Sequence, residues 1–316
     1  MFDVYYILFF TFVIGLCIGS FLNVVILRAF SGESIVLPPS KCPKCKEKIK
    51  WYDNVPLFSY LILGGKCRHC KGKISIQYPL IELLTGILFV FAMYVYGPVL
   101  TTFFICILFA LGLVIATTDI KEKVVFDVHT ISFAVVALIL NLINGQIGTA
   151  LIGLAVGAIV MELISRLGFL FIGKRAFGEG DTYIAAGVGA LVGPKLFLLV
   201  LALSVFAQVL AILPSFVSRL WKTNQKVLAI SLCNFLVFTL GYKILDYKLD
   251  LPLAIQVGSI GVIIALGGYL CYKLTKMTKT GEQLTYLPFG PSLLLMTFVV
   301  IFWGQAIVSF AKEFVA

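Results

Sequence analysis

Two groups of side chains in this sequence could do chemistry. The first is a set of four cysteines, Cys42-Pro-Lys-Cys45 and Cys67-Arg-His-Cys70, with 21 residues between the pairs. Two Cys-x-x-Cys knuckles at this separation can place four thiolates around one tetrahedral ion, and Zn²⁺ is the natural occupant. Four protein ligands leave no open coordination position, so such an ion would be structural. Reduced structural thiols or a redox pair are the plainer alternatives. His69, beside two of the cysteines, reads as a solvated loop residue. Cys17, Cys106, Cys233 and Cys271 lie in apolar runs and read as small buried hydrophobes.

The second group is a pair of acids, Asp119 at the end of one apolar run and Asp181 at the start of another, after Phe177-Gly178-Glu179-Gly180. Two carboxylates brought together cannot both ionise easily. One keeps its proton while the other acts as base toward water, the chemistry of metal-free peptide hydrolysis. Gly178 and Gly180 suit a close approach of backbone to a bound chain. The alternative is that both acids are helix-end residues. Asp181 is placed to cap a helix N-terminus, whereas the dipole at a helix C-terminus disfavours Asp119. Asp127 and His129 read as a cap and a boundary residue. Glu162 and Arg166, four apart, suit an ion pair, and Glu82 is a candidate for contact with substrate or with the cysteine loop. No Ser/His/Asp set, His-Glu-x-x-His or phosphate loop is present.

The elements that must position these groups are membrane helices. Of 316 residues, 60% are hydrophobic and 13% charged, and the mean hydropathy is +1.05. Val4–Leu27, Leu83–Thr118 and Val128–Met161 carry no Asp, Glu, Lys or Arg over 24, 36 and 34 residues. About 20 apolar residues span a bilayer, so the expected fold class is an all-α multi-pass membrane protein with a small cytoplasmic zinc-stabilised loop domain. Gly and Pro punctuation divides the chain into ten spans: about 4–27, 78–96, 99–118, 128–143, 148–172, 182–193, 196–216, 227–245, 252–272 and 289–311. The 182–193 span is too short to cross alone. The expected divisions are a first helix (1–27), a tetracysteine domain (28–77), a protease core (78–216), an additional hairpin (217–288) and a last helix (289–316). The first run lacks a basic flank and a small-x-small cleavage pattern, so it is expected to remain as a helix.

The net charge of +10 raises nucleic acid as a partner, but its placement argues otherwise. Ten of 25 Lys and Arg fall between Arg28 and Lys73, and most others lie in short loops. With the N-terminus outside, 20 of the 25 face the cytoplasm, the positive-inside pattern. Both acids then lie at the cytoplasmic boundary.

These residues together resemble the type IV prepilin peptidases, GxGD-type membrane aspartyl proteases that are bifunctional leader peptidases and N-methyltransferases of pilus and type II secretion systems. The similar stretches are Gly15-Leu-Cys-Ile-Gly-Ser-Phe-Leu-Asn-Val-Val-Ile26, Cys42-Pro-x-Cys45, Asp53-Asn-Val-Pro56, Cys67-Arg-x-Cys70 and Ile74-Ser-x-x-Tyr-Pro-x-x-Glu82. Asp119 followed by Asp127, Gly178-x-Gly180-Asp181 and Leu287-Pro-Phe-Gly-Pro291 complete the set. The resemblance covers about 15–194 and 286–311. It implies that Asp119 and Asp181 are catalytic, that prepilin and pseudopilin precursors are the partners, and that the bacterial inner membrane is the location. It also implies S-adenosylmethionine as methyl donor. The sequence has no Rossmann-type glycine motif and the 28–77 loop is too small for a methyltransferase domain, so a donor site would form between the loop and the membrane helices. Phe126 stands where the family usually has proline, and Tyr183 where lysine is common. Residues 217–285 add two spans that the family core lacks. A peptidase without methyl transfer, or a zinc-stabilised transporter or scaffold using the acids as a proton relay, is the competing reading.

Overall fold

The computed structural model describes residues 2–172, 175, 177–222 and 288–315. Within them the chain is helical: α1 (Phe2–Ser31), α2 (Phe58–Ile62), α3 (Gln77–Tyr96), α4 (Leu100–Glu122), α5 (Asp127–Ile143), α6 (Ile147–Ile172), α7 (Glu179–Lys222) and α8 (Gly290–Val315). Five of these helices are long and apolar enough to cross a membrane, and α5 and the Gly290–Gly304 part of α8 are shorter apolar helices. The expected spans at 227–245 and 252–272 lie outside the described residues. The expected spans at 182–193 and 196–216 are two helical stretches of α7 that meet at a kink at Gly193, where φ is 76° and ψ 169°.

The chain divides into two compact units, Met1–Ile159 with Glu179–Phe197, and Val160–Gly178 with Leu198–Ala316. In the first, helices approach through small residues. A Cβ on Gly15 would lie 2.7 Å from the Gly86 Cα, and one on Gly19 would lie 2.7 Å from the Glu82 Cα. Gly15 and Gly19 are four apart, as are Glu82 and Gly86, so each pair lines one face of its helix. Contact this close lets α1 and α3 gain dispersion energy that larger residues would block. Gly153 and Gly157 of α6 meet Gly189 and Ala185 of α7 in the same way, each backbone pressing on the other. Leu22, Ile26, Ile81 and Val114 form a buried cluster among α1, α3 and α4.

The bend in α7 has a local cause and a distant remedy. Pro194 has no N–H, so the Ala190 carbonyl four residues earlier lacks its helical donor. The buried Asn141 side chain of α5 supplies it: Nδ2 donates to the Ala190 carbonyl at 3.0 Å and to that of Leu191 at 3.3 Å. Both groups are buried, so a side chain takes the place of water.

The second unit contains the Glu162–Arg166 ion pair, at 2.8 Å as its spacing suggested. The Ser165 hydroxyl donates to the Phe177 carbonyl at 3.0 Å, and the Phe177 ring packs on Phe289 with centroids 4.8 Å apart. Cys17 corrects one expectation: it is exposed on α1. A thiol behaves as a small apolar group, so a lipid-facing position suits it as well as a core.

Asn141→Leu would leave the Ala190 carbonyl without a donor, at a cost of about 1–3 kcal/mol. The thermal midpoint in detergent should fall by several degrees; an unchanged midpoint would show that the bend satisfies its own carbonyls.

Candidate active site and metal centre

The two knuckles of the cysteine loop are built alike. Cys42 N–H donates to the Glu47 carbonyl and Lys46 N–H to the Cys42 carbonyl, both at 2.9 Å. In the second knuckle Cys67 N–H donates to the Gly72 carbonyl at 2.9 Å and Lys71 N–H to the Cys67 carbonyl at 3.0 Å. Lys46 and Lys71 close the turns with φ of 61° and 55°, and short antiparallel bridges, Lys41 to Lys48 and Lys66 to Lys73, clamp their bases. Both knuckles therefore aim their sulfurs at one point.

All four Sγ atoms lie within 4.8 Å of one another, with Cys42 and Cys70 3.9 Å apart. A tetrahedron with Zn–S bonds of about 2.3 Å has edges of about 3.8 Å, so the four thiols form a cluster able to hold such an ion. The Cys45 backbone N–H, donating to its sulfur, brings the Cys42 thiol down from 9.0 to about 7. The Cys70 backbone N–H likewise lowers Cys67. His69 is exposed and outside the cluster, as expected.

The second knuckle is also tied to the segment between the cysteine pairs, and that segment to α3. Arg68 reaches the Asp53 carboxylate through Nε at 2.9 Å and Nη2 at 2.5 Å, and its guanidinium holds that carboxyl below its ordinary value. Glu82, buried at 7% exposure on α3, accepts the Leu57 N–H at 2.9 Å, realising the expected contact with the loop.

Asp119 and Asp181 fall in the same compact unit, both buried, at 5% and 6% exposure. Asp119 is in the last turn of α4, where Lys123 in the left-handed conformation (φ 56°) closes the helix on the Asp119 carbonyl at 2.9 Å. α7 starts at Glu179, so Asp181 is in its first turn and is not the cap; the dipole there favours an anion. Asp127 likewise begins α5 as a helical residue, with Phe126 at the cap position and no side-chain cap. The expected close approach at Gly180 is to the protein itself. A Cβ there would lie 2.7 Å from the Val125 Cβ, so glycine lets the first turn of α7 rest on the α4–α5 connection. Gly187, seven residues on, faces Phe133 of α5, where a Cβ would meet the ring at 2.9 Å. His129 is half-buried beside Phe126, ring centroids 5.9 Å apart, consistent with a boundary role.

A helical membrane chain with a four-thiol loop and two buried acids at helix ends has the parts of an intramembrane aspartyl protease. Residues 13–96 match the model of the bacterial peptidase A24 N-terminal domain, and 106–213 that of the type IV leader peptidase family. Proteins named prepilin leader peptidase/N-methyltransferase are similar. The one from Myxococcus xanthus is 39% identical over 183 residues, 57% of this chain and 55% of the relative. That from Klebsiella pneumoniae is 36% identical over 58% of this chain and 84% of the relative, and that from Neisseria gonorrhoeae 36% over 57% and 72%. The chain therefore spans about half of the Myxococcus relative and most of the other two. No solved structure matches the chain. It belongs to the type IV leader peptidase family.

Sequence spacing alone missed the Arg68–Asp53 pair and Asn141, whose partners lie 15 and about 50 residues away. The pair has a pH signature. A carboxyl lowered in the fold stabilises the loop above the unfolded value near 4, and that contribution is lost as pH falls through the lowered folded value. In Asp53→Asn, amides of 50–70 should exchange faster than in the natural chain at pH 6, with the gap narrowing as the pH is lowered below the unfolded value. An equal gap throughout would mean that the charge does not hold the loop.

Proposed function

We propose that this enzyme removes the leader from type IV prepilins and prepilin-like type II secretion pseudopilins, and then methylates the new N-terminus. The observation that carries the hydrolytic part is the burial of Asp119 and Asp181 in one unit, with the first turn of α7 seated on the α4–α5 connection. In this mechanism one carboxylate takes a proton from water, and the hydroxide oxygen bonds to the scissile carbonyl carbon. The other, protonated, acid donates toward the carbonyl oxygen. The carbon–nitrogen bond then breaks, with the leaving amine taking a proton from the pair. The two acids titrate together, and their roles belong to the pair.

The substrate is a precursor with a short basic leader followed by a hydrophobic helix. The helix enters laterally from the membrane while the leader stays in the cytoplasm, and cleavage follows the leader's last glycine. The loop-charge bias supports this orientation, with the N-terminus of the enzyme outside, ten spans in all, and an inner-membrane location. The tetracysteine domain (28–77) holds a structural Zn²⁺ through Cys42, Cys45, Cys67 and Cys70. S-adenosylmethionine would supply the methyl group, and the enzyme's part would be to hold the new α-amine, of pKa ~8 when free, in its neutral form.

Intact-mass analysis of a prepilin incubated with purified enzyme tests the proposal. Loss of the leader plus one methyl mass is expected with S-adenosylmethionine, and leader loss alone without it; leader loss alone under both conditions would remove the methyltransferase half. Asp119→Asn and Asp181→Asn should each lower cleavage by at least about a thousandfold, equivalent to roughly 4 kcal/mol of barrier, and cleavage at the normal rate would refute the pair. Elemental analysis should find one zinc per chain and less than half of that in Cys42→Ser; equal zinc in both would exclude the four-thiol site.

A further inference from the structure

The short helix α2, between the two cysteine pairs, is turned the wrong way round for a domain in water. Ser59 is its buried residue, whereas Phe58, Leu61 and Ile62 are 63%, 73% and 78% exposed. Positions three and four apart share one helix face, so α2 turns its serine into the protein and an apolar face outward. Bonding fixes the inward side. The Ser59 hydroxyl donates to the Tyr52 carbonyl at 2.9 Å and accepts the Val55 N–H at 3.0 Å. Trp51, at 81% exposure, and Tyr52, also exposed, stand in the Trp51–Asn54 turn that these bonds tie to α2. Exposed apolar side chains scattered singly are ordinary, but a contiguous face of them marks a contact.

The height of α2 is set by α3, which is long and apolar enough to cross a membrane. Leu57, the residue before α2, holds φ 60° and ψ −51°, a conformation disfavoured for a side chain with a Cβ. Its N–H donates to the Glu82 carboxylate at 2.9 Å. Glu82 lies five residues after Gln77, the start of α3, which is about 8 Å along the helix at 1.5 Å per residue. Leu80, Leu83 and Leu84, on either side of Glu82, are exposed on α3, as residues that meet lipid are. The start of α2 is thus held level with these leucines. The charge of the loop suits the same neighbour. Residues 28–77 carry ten Lys and Arg against three acids, Glu33, Glu47 and Asp53, and exposed Lys50 and Lys66 flank the 51–62 segment. Lysine stems lie along apolar surface with the ammonium among headgroups, anionic lipid attracts basic segments, and Trp and Tyr favour the same boundary. The surplus of positive charge opposes a basic leader as the occupant.

We propose that α2 is an interfacial anchor, with Phe58, Leu61 and Ile62 seated in the boundary between lipid headgroups and acyl chains and Trp51 beside them. The partner is the surface of the bilayer that α3 crosses, with the basic loop drawn to its anionic headgroups. The loop then has two holds on the membrane, Glu82 through Leu57 and lipid through α2. Both fall in the stretch between Cys45 and Cys67, so the four thiols are held at a fixed height from the middle of their own loop. The anchor requires α3 to be a membrane helix and is independent of the reactions proposed above.

The test is tryptophan fluorescence of the full chain in vesicles of phosphatidylcholine and phosphatidylglycerol. The natural tryptophans are removed by Trp51→Phe, Trp221→Phe and Trp303→Phe, and one is introduced at a time; helical circular dichroism reports whether each variant is folded. Leu61→Trp should lose about half of its emission to phosphatidylcholine brominated near the headgroup end of its chains, as a side chain ~5–10 Å into the boundary would, and should be shielded from acrylamide in the water. Ile87→Trp, at an exposed position of α3, is the reference. Lipid quenching at 87 with only acrylamide quenching at 61 would overturn the anchor and leave the membrane helix intact; lipid quenching at neither would overturn both. As a second measurement, photoreactive benzoylphenylalanine in place of Leu61, irradiated in the same vesicles, should yield a chain heavier by one phospholipid. A crosslinked dimer would assign the face to a second copy of the chain, and a crosslink to added prepilin in place of lipid would assign it to substrate; either would overturn the anchor.

Discussion

Helices in hydrocarbon have no hydrophobic reason to associate, because lipid tails are as apolar as leucine. Their contacts must come from close packing and from satisfying polar groups. In this chain that constraint falls on a few small residues. Gly15 and Gly19 bring the α1 backbone against the Cα atoms of Gly86 and Glu82, and the second contact positions the buried acid that supports Leu57. Gly153 and Gly157 do the same for α7, where Gly189 and Ala185 answer them. Glu82 on α3 and Asp181 on α7 lie on helices placed by these crossings. A side chain added at Gly19 would displace Glu82 and with it the anchor of the cysteine loop, so the membrane packing and the aqueous domain are mechanically one problem.

The same solvent explains the treatment of polar backbone. Pro194 and Gly193 break α7 where the freed carbonyls are buried against α5, out of reach of water. Here a side chain from α5 must do it, and Asn141 is among the buried polar residues of the unit. Its amide ties α5 to α7 about ten residues beyond Asp181, while Gly187 on Phe133 and Gly180 on Val125 tie them nearer the acid. Three separate contacts therefore fix the inclination of α7, and with it the first turn that carries Asp181.

Much of this was legible in the sequence because it depends on local spacing. The Cys-x-x-Cys pairs form like turns wherever they occur, and the apolar runs fix helices by length alone. Glu162 and Arg166 meet because four residues make about one helical turn. Other features depend on partners far along the chain. Nothing near Asn141 indicates that a proline more than 50 residues later will leave a carbonyl open, and nothing near Asp53 selects Arg68 among several basic neighbours. Gly180 invited a reading in terms of bound substrate, whereas its neighbour is Val125, and only the packing of α7 on the α4–α5 connection shows that. Asp181 and Asp127 resembled caps because acids favour the first turn of a helix as well as the cap itself, and one residue of offset separates the two.

The last turn of α4 has a particular place in the proposed cycle. Lys121 is exposed and Asp119 is buried two residues earlier. Two helical residues advance about 3 Å along the axis but turn about 200° around it, so these side chains leave opposite sides of the same turn. Lys123 ends α4 immediately afterwards in a left-handed conformation, and α5 begins at Asp127 after a short connection. The left-handed Lys123 thus stops α4 one turn beyond Asp119 and leaves a short connection on which the first turn of α7 rests through Gly180 and Val125.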